Sequence, residues 1–384
     1  MKYFQLFLLL SVLSSLKTLA QDSSRFQLNG YISEMPSMQY IANESQWDNL
    51  IHNRLNFQYT PNKNFTGVIE LRNRFMIGDN VRNVISRSNY SNDNGFVDLS
   101  FNIIDRTGVV FNSSIDRAYL VGEQGKLRTT LGRQRINWGQ TFVWNPNDIF
   151  NAYSFFDFDY TERPGSDAMR LQYFNTETSV TEAAIKIDKD NKITAALYYR
   201  FNTRGYDIQA LGGILDSKDF VTGLGWSGAI NYIAFRGEIS YFRTISYNAL
   251  NNLPRNLFMI DLGADYTFQN GIFFQAEFLY KSYENLNSGS FAQYLSAPLN
   301  VKDLSFVKYN CFAQISHSIS PLINTSFSIM YMPGINGTYV GPNIDYSISD
   351  NCSLSLIFQW FSLSLPQISR QNIYISFLKF KINF

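Results

Sequence analysis

Hydrophobic and polar residues alternate one by one through most of the chain, in segments of about ten residues. Between residues 272 and 281 one face is apolar and consists of Ile272, Phe274, Ala276, Phe278 and Tyr280. The other face carries the polar side chains Gln275, Glu277 and Lys281. The tight turn Gln269 to Gly271 joins this segment to a preceding one with the same arrangement. The pattern therefore predicts a β-hairpin with one apolar and one polar face.

The same alternation predicts about eighteen strands in one domain. They are Arg25 to Ser33, Leu50 to Thr60, Phe65 to Met76, Ser114 to Gly122, Leu127 to Asn137, Ala168 to Asn175, Val180 to Asp188, Ile193 to Asn202, Tyr206 to Leu215, Phe220 to Gly228, Ala234 to Arg243, Leu257 to Phe268, Ile272 to Tyr283, Leu304 to Ser316, Leu322 to Tyr331, Tyr339 to Ser347, Ser353 to Leu363 and Ile373 to Phe384. An even number suits an antiparallel barrel with both termini on one side. Phe96 to Ile104 is interpreted as loop, and a strand there would change the count, within a range of 16 to 18 or more.

The links between the predicted strands are alternately short and long. Those taken as periplasmic turns are Pro61 to Asn64, Gln124 to Lys126, Gln269 to Gly271 and Asp350 to Asn351. Those taken as extracellular loops are Glu34 to Asn49, Ile77 to Ser113, Trp138 to Asp167, Thr244 to Asn256 and Glu284 to Asp303. This asymmetry is typical of outer-membrane barrels.

Composition separates a membrane barrel from a soluble β-sandwich, which alternates in the same way. The chain has 33 Phe, 24 Tyr and 5 Trp but only 16% charged residues. Aromatic residues recur where predicted strands end on the apolar face, as in an interfacial girdle. After the N-terminus no apolar run reaches the length of a transmembrane helix. We therefore expect an all-β, antiparallel transmembrane barrel in contact with outer-membrane lipid.

Both chain ends carry sorting features. Met1 and Lys2 are followed by an apolar run to Leu13 and by small residues before Gln21, which predicts a signal peptide over residues 1–20 and a barrel over 21–384. The final alternating strand ends at Phe384. A terminal Phe resembles the signal read by the barrel insertion machinery, so we expect that machinery to be a partner and the outer membrane to be the location.

The polar face of the barrel is expected to line a water-filled lumen, because charges facing lipid would cost about 2–4 kcal/mol each near the midplane. The basic residues on this face include Arg72, Arg74 and Arg236. Acidic residues such as Glu238 and Glu277 oppose them. A mildly cationic lumen favours anions. The alternative is that these charges pair across strands and only fill the barrel.

The most distinctive stretch contains L-G-R-Q-R-I-N-W-G (Leu131 to Gly139) and V-W-N-P-N-D-I-F-N (Val143 to Asn151). It resembles the G-R-Q and N-P-x-D region of porin-like outer-membrane proteins in the broad alginate-export and phosphate-selective porin group. The resemblance is closest to an uncharacterised porin-like family of Bacteroidota and proteobacteria. It is specific over Leu127 to Phe174 and architectural elsewhere. It implies a barrel with one loop folded inward, and no particular solute.

Trp138 to Asp167 is too aromatic for a freely solvated loop, so it must bury apolar surface in the lumen or at its mouth. This predicts a constriction in which loop residues face Arg133 and Arg135 on the wall. The predicted loop residues are Trp144, Asp148, Asp157, Asp159, Glu162 and Arg163. The alternative is a closed plug that serves stability alone. Aromatic rings beside carboxylates would also suit a sugar-specific channel.

The strand alternation leaves the direction of several arginines ambiguous. Arg133 and Arg135 share parity with the apolar Leu131, and Arg117 shares parity with Ile115. A β-bulge near Gly132 would turn the two arginines inward, away from lipid. We therefore predict a bulge at that position.

Little in the sequence indicates catalysis. Only His52 and His317 are present, the two cysteines are far apart, and no phosphate loop, metal motif or catalytic carboxylate pair has diagnostic spacing. The net charge of +1 gives no reason to expect nucleic acid as a partner. We expect no enzyme activity, no cofactor and no metal.

These observations favour a porin-like channel for passive diffusion of small hydrophilic solutes, anionic or sugar-like, in a protein that could form a homo-oligomer. The alternative is a non-conducting barrel that serves as a scaffold or accessory component of a secretion or export system. Export of lipid or polysaccharide is a third hypothesis.

Overall fold

The computed structural model describes residues 25–41, 44–153, 155–156, 162–245, 254–284, 300–305, 307–364 and 370–384. The predicted signal peptide lies outside these residues. The strands are β1 Phe26–Ile41, β2 Glu44–Asn62, β3 Phe65–Gly78, β4 Ser100–Arg106, β5 Val109–Gln124, β6 Leu127–Gln134, β7 Ser166–Thr176, β8 Ser179–Ile187, β9 Ile193–Thr203, β10 Tyr206–Leu215, β11 Asp219–Ile230, β12 Ile233–Thr244, β13 Asn256–Thr267, β14 Phe273–Lys281, β15 Tyr309–Ser320, β16 Ile323–Met332, β17 Gly337–Ser349, β18 Cys352–Leu363 and β19 Gln371–Asn383. One α-helix, α1, spans Val84–Ser91, and short 3-10 helices cover Asn80–Arg82, Val301–Asp303 and Pro333–Ile335. None of the described helices is long and apolar enough to cross a membrane.

The strands form a closed antiparallel barrel. Each ring strand pairs with the strands before and after it in the chain, except that β3 pairs with β5 instead of β4, and β19 pairs with β1 from Tyr31↔Asn383 to Ile41↔Ile373. Of the nineteen strands described, β4 pairs with β5 alone, so eighteen strands form the ring. The predicted all-β barrel of eighteen strands is confirmed.

Two predicted boundaries at the start of the chain are wrong. The segment Glu34 to Asn49, expected to be a long loop, continues the first hairpin, with pairs from Glu34↔Ile51 to Ile41↔Glu44. Alternation persists there, since Ser37 is buried while Met38 and Trp47 are exposed. The pattern is obscured because these residues mix polar and apolar types on both faces.

Three later boundaries also differ from the prediction. Phe96 to Ile104 is not all loop, because Ser100–Arg106 forms β4. The sixth strand ends at Gln134, three residues before the predicted Asn137. The segment from Leu304 is not strand, because β15 begins at Tyr309 and a 3-10 helix occupies Val301–Asp303.

The two faces of the wall sort by polarity as predicted. On β14, Phe274 and Phe278 are 41% and 37% exposed on the outer face, whereas Glu277 is 5% exposed on the inner face. On β12, β13, β14 and β18, however, some inward residues near one end of the strand are apolar. Phe242, Met259, Leu279, Phe361 and Leu363 are each at most 1% exposed and belong to a packed core inside the barrel. One side of the lumen is therefore filled with side chains.

The wall has a gap because β6 ends early, at Gln134, and β7 begins late, at Ser166. The chain between them, residues 135–165, turns into the barrel and is called here the inward loop. Residues 93–99, called the wall segment, run beside this gap and lead into β4. The wall segment joins β5 through the Ile115 N–H to Leu99 O bond of 2.9 Å and reaches β8 through a bridge between Gly95 and Asp188. The wall segment and β4 therefore close the wall where the ring strands leave it open.

Arg133 lies at this gap, and the predicted bulge near Gly132 is wrong. The β5–β6 and β6–β7 pairings run without a register shift, which puts Arg133 in one row with Asp167, on the side where Leu131 is exposed. Its guanidinium is nevertheless only 6% exposed, because the wall segment covers it. The register shift lies in β5 instead, opposite Glu70 and Leu71, and brings Arg117 to the inner face.

Candidate functional site

The inward loop is fixed to the inner wall by a carboxylate that receives three consecutive backbone N–H groups. Glu277 on β14 accepts hydrogen bonds from Phe142 N at 2.9 Å, Val143 N at 3.0 Å and Trp144 N at 2.8 Å. A turn whose N–H groups converge makes a concave anion site, and bonds to a charged acceptor are stronger than neutral ones. The carboxylate therefore satisfies loop donors that would otherwise be buried without partners.

Glu238 on β12 provides a second anchor of the same kind. It accepts the N–H groups of Gln140, Thr141 and Asn147, the last at 2.8 Å. The Asn147 side chain adds an acceptor for the Ser240 hydroxyl at 2.7 Å. Residues 140–147 are thus held against β12 and β14 at both ends.

Aromatic packing closes the space around these anchors. The Trp138 ring stacks on Tyr198 of β9 at 4.9 Å between centroids and donates its N–H to Glu182 of β8 at 3.0 Å. Farther along the loop, Phe156 contacts the rings of Tyr339 and Phe361, at 5.1 and 5.2 Å. Among the described loop residues, Trp138, Trp144 and Phe150 are thus buried inside the barrel, as predicted, whereas Phe142 is 41% exposed.

The connection between β14 and β15 also packs inside the barrel. Val301, Leu304 and Val307 are at most 3% exposed in the same core. Lys281 of β14 donates to Ser305 O at 2.7 Å, and Lys302 pairs with Asp219 at 2.9 Å. Across the lumen, at β1, β2, β3 and β5, lies a second buried cluster made of Met35, Leu50, Met76, Val81 and Val110.

The end of the inward loop reaches that opposite side. The Tyr31 hydroxyl of β1 donates to the Glu162 carboxylate at 3.2 Å, and Arg117 of β5 donates to the Glu162 carbonyl at 2.5 Å. Since residues 140–147 lie on β12 and β14, the loop has contacts on both sides of the lumen. This arrangement narrows the barrel at the level of the loop.

Arg135 and Arg163 are the two loop cations at this narrowing. Neither forms an ion pair with any residue that the structure describes. The Arg163 guanidinium lies over the Tyr153 ring, while the Arg135 Nε has no hydrogen-bond acceptor. Burial lowers the pKa of Arg135, and the charge of Arg163 lowers it further. Both arginine residues are partly exposed, and the neighbouring Glu162 carboxylate accepts a hydrogen bond from Tyr31 instead of pairing with them.

The basic side chains of the wall are, by contrast, well partnered. Arg54 is fully buried and pairs with Glu70 and, at 2.7 Å, with Asp116. Arg74 donates to Tyr90 O and Asn112, and Arg236 pairs with Asp265. Arg72 is 9% exposed and projects inward from β3. Many of the inward charges on the wall are therefore paired across strands, which was the alternative to a cationic lumen.

The predicted constriction residues fall into distinct places. Trp144 and Asp148 are 5% and 0% exposed, so they lie inside the packed interface and not against solvent. Arg133 lies outside the lumen, in the wall gap. Arg135, Glu162 and Arg163 come together at the narrowing, and Asp157 and Asp159 lie outside the described residues. The anchors Glu238 and Glu277 were recognised only as inward charges, because the pairing of a wall residue with a loop backbone leaves no mark in the sequence.

A cavity of about 340 Å³ lies between the inward loop and the tops of β8 and β10. Lys186, Asp188 and Asp216 line it, together with Asn94 and Gly95 near the wall segment. Lys186 donates to Phe150 O at 2.9 Å. The cavity opens on the side of the loop next to the predicted extracellular face.

No protein-family model matches the chain, and no curated protein sequence is similar to it. Solved structures do match over nearly the whole chain. OccAB3 of Acinetobacter baumannii has a TM-score of 0.59 at 9% identity, covering 94% of this chain and 99% of that one. OccAB4 of the same organism gives 0.58 at 9% identity, with the same coverage. OpdK of Pseudomonas aeruginosa, in a crystal structure with vanillate, gives 0.57 at 8% identity over 93% and 99% of the two chains. The chain shares the barrel fold of these proteins, and the specific family named from its motif stays a prediction.

Proposed function

We propose that the protein is an outer-membrane channel for passive diffusion of small hydrophilic solutes, and that its constriction favours anions. The observation that carries the proposal is the pair Arg135 and Arg163 at the narrowing, neither of which has an ion-pair partner among the described residues. A fixed positive charge in a narrow, low-dielectric passage raises the local concentration of anions.

Placement in the membrane is supported by the outer face of the ring. Exposed residues there include Leu197 at 65%, Leu131 at 57% and Leu356 at 51%. A band of this kind is stable in contact with lipid hydrocarbon and costly in water. One structural relative, OpdK, is described as an outer membrane protein. Export by residues 1–20 and insertion through recognition of Phe384 belong to the same proposal.

The vanillate complex of OpdK gives the solute class some support. Vanillate is a small organic anion, and the protein that holds it shares this fold. A solute of that size and charge would meet Arg135 and Arg163 where the inward loop narrows the lumen. Small anions are therefore the first solutes to test.

The experiment is single-channel recording in planar bilayers, with the reversal potential measured across a KCl gradient. The double variant R135Q/R163Q should lose anion preference while keeping steady conductance, because the barrel wall is unchanged. The matched control is R204Q, which removes an exposed charge from the turn between β9 and β10. Deletion of residues 144–163 should raise the conductance, because it removes most of the inward loop.

Each outcome decides between channel and scaffold. The loops that fill one side of the lumen are the observation that favours a non-conducting barrel. Absence of conductance in both wild type and the deletion variant would refute the channel and favour that scaffold. Equal reversal potentials for wild type and R135Q/R163Q would leave a channel without the proposed anion site.

A further inference from the structure

Asp148 is an ionisable residue enclosed within the inward loop. Its side chain is fully buried, and neither carboxylate oxygen accepts a hydrogen bond of normal geometry, with the Asn151 N–H as a weaker contact. The turn that carries it is rigid. Asp148 N donates to Asn145 O at 3.0 Å, and the neighbouring Asn147 is tied to Glu238 and Ser240. The backbone that carries the carboxylate is therefore fixed against the wall.

The titratable groups around Asp148 come from five parts of the fold: the inward loop, β8, β12, β13 and β14. The positive charges of Arg135, Arg163 and Lys186 favour the ionised form of the carboxylate. The titratable groups that act on Asp148 or respond to it are Arg135 after β6, Tyr153 and Arg163 on the inward loop, Lys186 on β8 and Glu238 on β12, with Asp261 and Glu277 beyond Glu238. Among the described residues Arg135 and Arg163 form no ion pair, and Asp148 is a buried carboxylate on which the charges of both arginines act.

We propose that Asp148 determines the charge selectivity of the constriction: its ionised form offsets the positive charge of Arg135 and Arg163, and its neutral form removes that offset. The inference rests on the proposed channel function. It assigns Asp148 an electrostatic role without contact with the solute, since the side chain has no exposed surface.

The direction of the effect follows from the burial of the group. Burial raises the pKa of Asp148 to about 6, against the opposing charges of Arg135 and Arg163. Above pH 6 the carboxylate is ionised and reduces the anion preference of the pore. As the pH falls through 6 it becomes neutral, so the anion preference rises.

The test is the anion-to-cation permeability ratio of the full-length protein, obtained from reversal potentials in a KCl gradient between pH 8 and pH 5. Wild type should show a ratio about threefold higher at pH 5, the order expected for one charge acting across roughly 10 Å of partly hydrated space. D148N should show the high ratio at both pH values. D350N, which removes an exposed carboxylate between β17 and β18, should behave as wild type.

A second variant avoids dependence on the folding of D148N. R163Q removes a charge that favours the ionised form, so the midpoint of the ratio against pH should move upward from that of wild type. A ratio independent of pH in wild type, or a pH dependence unchanged in D148N, would overturn the inference and leave the channel intact. Absence of conductance at every pH would overturn the proposed function and this inference with it.

Discussion

Glu277 and Glu238 decide how tightly the inward loop is held, because between them they accept six loop N–H groups. A buried N–H without an acceptor costs about 1–3 kcal/mol. The loop contains no regular strand or helix over residues 135–153, so these bonds replace those of secondary structure. Wall carboxylates therefore serve here as part of the backbone scaffold.

We predict that E277A loosens the loop, because three N–H groups lose their acceptor at a cost of roughly 3 kcal/mol or more. Single-channel traces should show higher open-channel noise and more frequent changes of conductance level. The matched control is Q275A, two residues earlier on the same face, whose amide contacts Gln314 and not the loop. Traces as quiet as wild type in E277A would show that the aromatic packing alone fixes the loop.

For single residues, the sequence predicted which face of the wall a side chain lies on better than what the side chain does there. Strand alternation is enough to direct Glu277 inward, since the opposite choice would put a carboxylate into lipid. It could not assign Arg133, because both faces of the wall are covered at that position. Trp144 was predicted at the constriction for its aromatic character, and the same character buries it against the wall.

The wall segment is an element whose stability depends on one arginine. Arg133 pairs with Asp93 at 2.6 Å and with Asp167 at 2.7 Å, and it donates to Val97 O at 2.6 Å. These contacts join the wall segment to β6 and β7. They replace the strand pairing that the short β6 cannot provide.

We predict that R133L lowers the free energy of unfolding by about 3 kcal/mol, because it leaves two carboxylates that are only 10% and 16% exposed, Asp93 and Asp167, without a counter-charge. Urea titration of the protein in lipid vesicles would measure the loss. R128L is the control, since the ion pair of Arg128 with Glu123 is 43% and 49% exposed and should contribute no more than about 1 kcal/mol. A change in R133L as small as that in R128L would contradict the assignment.

The ring strands could be predicted from the sequence, whereas a strand near β4 was only an alternative to the loop expected over Phe96 to Ile104. A strand between lipid and a wet lumen must alternate, and β13 and β14 do so except at the inward apolar residues Leu257, Met259 and Leu279. The outward residues of β4, Phe101 and Ile103, follow the same rule. The strand is short, however, and it lies in a segment whose other residues form turns and a helix, so nothing local indicates that it joins the wall.

At the scale of the whole molecule, the barrel is closed by the pairing of its first and last strands. Gly30 and Phe384 exchange backbone hydrogen bonds of 2.9 and 3.0 Å at the end of this seam. These bonds do not require the phenyl ring. We expect the ring to act instead in recognition during insertion.

We predict that F384A lowers the amount of folded protein in the outer membrane of cells but folds into lipid vesicles as well as wild type. Heat-modifiable migration on gels would measure both. F380A is the control, because Phe380 lies on the same strand and is 39% exposed on the same outer face. Equal losses of F384A in cells and in vesicles would assign the ring to packing of the seam instead.

The wall gap links two connections that are far apart in the chain. Because the inward loop removes β6 and β7 from part of the wall, residues 93–99 must be present to cover the opening. The inward loop and the wall segment are therefore expected to change in length together during evolution. A lineage that lost the inward loop would gain two longer strands and no longer need the wall segment, whereas loss of residues 93–99 alone would leave a side window between the lumen and the bilayer.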